Sequence, residues 1–125
     1  MAFAVRTVTF CRNIHSAWEG RRVGGQLIDS ATSLAMNYRA ANRARTRREF
    51  IAKLGIVVEE ADETVGWLEL IVRSDLASGD ELEWLLKEAR ELVAIFAASY
   101  RTAKANHTET TRDRVTGPPS HRVIK

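Results

Sequence analysis

Residues 50–72 read FIAKLGIVVEEADETVGWLELIV, and the order of apolar and polar positions in this stretch decides the fold. Phe50, Leu54, Val57, Ala61, Thr64, Leu68 and Ile71 recur at alternating steps of four and three residues, the period of one stripe along an α-helix. A second row at seven-residue spacing, Ile51, Val58, Val65 and Val72, widens that stripe to what a bundle helix buries. The same rhythm appears three more times. Phe3, Thr7, Phe10, Ile14 and Ala17 give one seam; Leu27, Ala31, Leu34, Tyr38 and Ala41 give another. Leu82, Leu86, Ala89, Val93, Phe96, Tyr100 and Ala103 give the last. Four seams joined by short connections predict an all-α, antiparallel up-down four-helix bundle over residues 1–106.

The connections are read from chain chemistry. Glu19 to Gly25, with three glycines, is expected to turn between helices one and two, and Ser78-Gly79-Asp80 between three and four. Thr46 followed by Glu49 has the spacing of a capping box that starts helix three, and Ser78 with Glu81 repeats it before helix four. Past Asn106 the apolar rhythm stops and Gly117-Pro118-Pro119 follows, so residues 107–125 read as a disordered basic tail.

At 125 residues the chain accommodates one domain. No apolar run reaches the ~20 residues of a membrane span, no signal pattern opens the chain, and the single Cys11 makes no internal disulfide. A cytoplasmic protein without membrane attachment is expected. The net charge of +3 conceals segregation. Residues 1–58 carry ten basic and three acidic side chains (+7), residues 59–91 three and eleven (−8), and residues 92–125 six and two (+4). Opposite blocks of this kind pair within a chain, pair between copies, or attract a charged partner.

Arg39, Arg43, Arg45, Arg47, Arg48 and Lys53 gather around the junction of helices two and three, where several cationic groups can meet a phosphate backbone together. The alternative use of these residues is to solvate a helix end or to pair with the acidic segment. Glu59, Glu60 and Glu63 form EExxE, which resembles the first magnesium motif of the all-α nucleotide pyrophosphohydrolases. The second motif of that family, ExxD, does not follow, so the carboxylates read as a solvated or salt-bridged face. His15, His107 and His121 share no metal-ligand spacing, and Cys11 reads as a small core residue. No catalytic constellation, metal site or cofactor is expected. Around Thr64 to Val72 the chain is apolar on nearly all sides, so Val65, Trp67, Leu70 and Val72, with Trp84 on helix four, are expected at a subunit interface.

Gln26-Leu27, Ser30-Ala31-Thr32-Ser33, Asn37-Tyr38-Arg39, Arg43, Thr46, Glu49-Phe50, Lys53-Leu54, Glu63-Thr64 and Trp67-Leu68 together resemble the 23S ribosomal RNA intervening-sequence protein family. Ala40-Ala41 stands where that family usually has Glu-Gly. The resemblance implies a pentameric ring of bundles without catalytic activity. It also implies a likeness to the accessory protein of diversity-generating retroelements, a basic pentamer that binds nucleic acid and a reverse transcriptase. The function expected is that of a nucleic-acid-binding accessory factor, with a ribosomal component or a reverse transcriptase as partner. A pure protein-interaction scaffold and a magnesium-dependent nucleotide hydrolase are the alternatives.

Overall fold

A computed structural model describes residues 1–14 and 17–116, with side chains to Thr108. The described residues form four α-helices and no strand: α1 (Ala2–Arg12), α2 (Trp18–Asn42), α3 (Arg47–Arg73) and α4 (Asp80–Thr116). They pack as a square in which α2 and α4 each touch both α1 and α3. Cross-helix bonds show the antiparallel register. Thr64 donates to the Ser30 hydroxyl at 2.9 Å and Ser33 donates to Glu60 at 3.1 Å, which aligns α2 with α3. Arg90 donates to Glu69 at 2.8 Å and aligns α3 with α4.

Most seam positions are buried; Tyr38 is the exposed exception, and on α4 Leu85 is fully buried beside the half-buried seam residue Leu86. Leu27, Leu54, Val57, Leu68, Ile71 and Leu85 have at most 2% of their surface exposed. Each such side chain stabilises the folded state by roughly 1.5–3 kcal/mol relative to exposure. The one polar pair deep in the core, Ser30 and Thr64, is satisfied: Thr64 also bonds the Glu60 carbonyl and Ser30 the Leu27 carbonyl. Among the described residues no buried side-chain polar atom lacks a partner. The core divides into a cluster around Phe3, Ala31, Leu68 and Leu85, where four helices meet, and one around Leu34, Leu54, Val57 and Phe96, built by α2, α3 and α4.

Three boundaries differ from those expected. Glu19 to Gly25 is not a turn. It is the first part of α2, and the connection lies upstream, after Asn13. Gly20 and Gly24 are buried, and Gly24 faces Ile14 and Cys11, with room for a Cβ at ordinary contact distance of 3.8–4.0 Å. Ser78 does not share a capping box with Glu81, whose carboxylate is held by Arg6 of α1. The fourth helix runs past Asn106 to Thr116, although the residues after Ala103 lose the seam. The Gly117-Pro118-Pro119 stretch lies outside the described residues, as does His15.

The α3 cap is close to expectation. Thr46 accepts from the Glu49 backbone N–H at 3.0 Å, while the Glu49 carboxylate accepts from the backbone N–H of Arg45 rather than of Thr46. At its other end α3 closes in a Schellman motif: Leu76 N–H bonds the Ile71 carbonyl and Asp75 N–H the Val72 carbonyl. Asp75 takes φ +59° there, in the left-handed region that favours glycine. Asp75→Gly should therefore stabilise the fold by roughly 0.5–1 kcal/mol. Thermal unfolding followed by circular dichroism measures this, and the midpoint should rise by a few degrees.

Candidate nucleic-acid interface

The α2–α3 corner is pinned from inside. Ala41 and Ala44 are buried, and Arg43 N–H and Ala44 N–H bond the Ala40 and Ala41 carbonyls, so the chain turns without leaving the core. The residues between these anchors point outward. Arg39, Arg43, Arg45 and Arg48 are exposed; Arg47 and Lys53 are half-buried. The corner thus gathers all six expected basic residues at one end of the bundle. The ion pairs Arg6–Glu81 and Arg90–Glu69 take nothing from this cluster.

Further cationic and apolar groups stand on the same face of α2, with Asp29 between Arg22 and the corner. Trp18, Arg22, Gly25, Asp29, Thr32, Met36, Arg39 and Arg43 follow one another at steps of four and three, which is one outward stripe of α2. Trp18 is 65% exposed with the Arg22 guanidinium 5.6 Å from its ring centroid, and Met36 is half exposed beside Arg39. From Arg22 to Arg43 the stripe spans roughly 32 Å at 1.5 Å per residue. Sequence reasoning assigned no role to Trp18, Arg22 and Met36. The signal was available, since the polar face of a helix repeats with the same period as its seam.

The acidic run does not converge. Glu60 accepts from Ser33, Glu63 accepts from the Trp67 indole N–H at 3.2 Å, and Glu59 is exposed. Among the described residues no three His, Cys, Asp or Glu side chains group as a metal site requires. Burial pushes the Cys11 thiol up to about 11, so it is un-ionised at neutral pH.

The residues expected at an interface fall in three places. Val65 and Val72 lie on the flank of α3 toward α4, the side from which Glu69 meets Arg90; Trp67 and Leu70 lie on the opposite flank, the side from which Glu60 meets Ser33. They are two borders of one helix and not one patch. Val65 and Trp67 pack against the core, whereas Leu70 and Val72 are 41% and 45% exposed. Trp84 packs against the same core, and its ring is covered by the Arg6 guanidinium at 3.5 Å.

Residues 1–98 match the family of the 23S rRNA-intervening sequence protein, and the chain belongs to that family. A solved structure from Bacteroides thetaiotaomicron, described as a protein with unknown function from the S23 ribosomal protein family, is 30% identical. It covers 80% of this chain and 89% of its own, with a TM-score of 0.72. Among curated proteins no relative matches. Neither description names a reaction. Among the described residues no helix is long and apolar enough to cross a membrane.

Arg6 also sets a pH dependence. Its bond to Glu81 holds that carboxyl below its ordinary value. The stability this pair contributes is full above the ordinary glutamate pKa of about 4.3 and is lost as pH falls through the lower folded value. Arg6→Gln should lower the thermal midpoint at pH 7, and the gap from the wild type should narrow below about pH 4 to what the Arg6 contact with Trp84 contributes. Melting curves of both proteins from pH 7 to pH 3 check this.

Proposed function

We propose that the protein is a non-enzymatic, ring-forming bundle that binds RNA or DNA as an accessory factor of a ribonucleoprotein or reverse transcriptase in the cytoplasm. The observation that carries the reading is the outward stripe of α2 together with the α2–α3 corner: exposed guanidinium groups on a rigid helix, interleaved with an exposed Trp and Met. Guanidinium forks match phosphate oxygens, and an exposed indole offers a face on which a base can stack. No array of base-reading amides accompanies them, so the interaction is with the backbone and sequence preference is slight. Arg39→Glu, Arg43→Glu and Arg48→Glu combined should weaken binding to unrelated sequences about equally. Wild-type affinity should fall steeply between roughly 50 and 200 mM salt, because counterions are released on binding. Fluorescence anisotropy with labelled RNA and DNA oligonucleotides reads both effects; salt-insensitive binding would favour a protein scaffold.

The ring reading rests on charge and on the family resemblance, which suggests a pentamer. The basic outer face of α2 and the outer face of α3, with Glu59, Asp62, Glu63 and the exposed Ile56 and Leu70, carry opposite signs on neighbouring sides of the bundle. Such a pair suits head-to-tail contacts that close on themselves. Light scattering should give a mass several times 14 kDa. Leu70→Arg, which changes no core contact, should reduce that mass, and a wild-type mass of one chain would sink the ring.

A further inference from the structure

Among the described residues the square is complete at one end of the bundle only. α1 runs antiparallel to α2 from Cys11, beside Gly24, to Phe3, in the cluster that holds Ala31, and it fills the fourth corner over that length. With 11 residues against 25 in α2, it leaves the rest of the corner open. A groove of about 470 Å³ follows there between α2 and α4, with Tyr38, Phe50 and Phe96 as its floor and Ile95, Ser99 and Thr102 along its α4 wall. The Tyr38 and Phe96 rings stand 5.2 Å apart at 47°, so the floor is built and not collapsed. Tyr38 is 42% and Ile95 57% exposed.

We infer that this groove is the docking site for one amphipathic helix of a partner protein, apolar on the stripe that enters and acidic along one flank. The shape follows from α1: the groove continues the trough between α2 and α4 that already holds a helix. Seating a second helix there completes the four-helix square with the same ridge-and-groove packing. The charge follows from α2. Arg39 and Arg43 each come one residue after a lining side chain, Tyr38 and Asn42, and so stand about 100° further round the helix, along the outer edge of the groove. Ser99 and Thr102 add neutral hydrogen-bonding groups to the opposite wall. A second copy is the weaker fit. Its acidic α3 face lies diagonally across the bundle from the groove, so that contact would repeat along a line and build open chains.

A labelled 15-residue helical peptide with Leu at positions 1, 5, 8 and 12 and Glu along one flank is the probe, with a Lys-flanked version as its control. Fluorescence anisotropy with the full chain should show the Glu peptide bound at least tenfold more tightly than the Lys peptide. Ile95→Asp and Ser99→Arg, both at exposed wall positions, should each weaken it at least tenfold, with helicity unchanged by circular dichroism. Leu70→Arg, at the opposite corner, should leave it unaltered. Neither groove substitution removes an arginine, so oligonucleotide binding should persist in both, which distinguishes the groove from the arginine edge that the two surfaces share. Equal binding of the two peptides, or undiminished binding by the groove variants, would overturn the inference. So would a fall in the protein's mass on Ile95→Asp, which would give the groove to a second copy.

Discussion

Everything in this bundle depends on the burial of the α3 seam. Leu54, Val57, Ala61, Thr64, Leu68 and Ile71 are almost wholly removed from water, and in the half of the molecule beyond α1 they are what α2 and α4 hold in common. α2 and α4 meet each other through the Tyr38 and Phe96 rings but pack chiefly on α3, so the spacing between them is set largely by the side chains they share with it. Tyr100 shows how tight that setting is. Its ring lies over Gly55, where even a single Cβ would come within 3.2 Å. The orientation of α2, and with it the direction in which its arginines point, is fixed by packing on the far side of the helix.

The four seams were legible because helical periodicity survives in any chain that must bury one face per helix. What misled the reading was local. The glycines of residues 20–25 carry the composition of a turn, yet they lie inside α2, where Gly24 is buried beside Ile14 and Cys11, neighbours that no local window contains. Ile14 hid the true break, since it still packs inward from beyond the end of α1 and so continues the seam past the helix. Glu81 has the spacing of a capping partner but finds a guanidinium across the bundle. In each case a tertiary contact outweighed a local preference.

The candidate surface divides in the same way. The corner arginines were legible because they crowd together in sequence, while Trp18 and Arg22 belong to the same face only once α2 is known to start before the glycines. Val65, Trp67, Leu70 and Val72 are neighbours in the chain, but two helices press against α3 from opposite sides and part them. Trp84 shows a contact that no local pattern announces. A large aromatic off the seam invites the thought of a partner, and here the cover is a cation of the same chain.

Cys11 turns the docking of α1 into something that can be timed. It is the single thiol of the chain, half-buried between α1 and α2, and protonated at neutral pH because its surroundings are apolar. A thiol reagent therefore reacts slowly with the packed state and faster whenever the first helix lifts away and the sulfur meets water. The rate of that reaction is a clock on the opening of one corner of the bundle, separate from unfolding of the whole. It needs no engineered label, and the same low reactivity keeps copies of the protein from becoming covalently linked while the helix is in place.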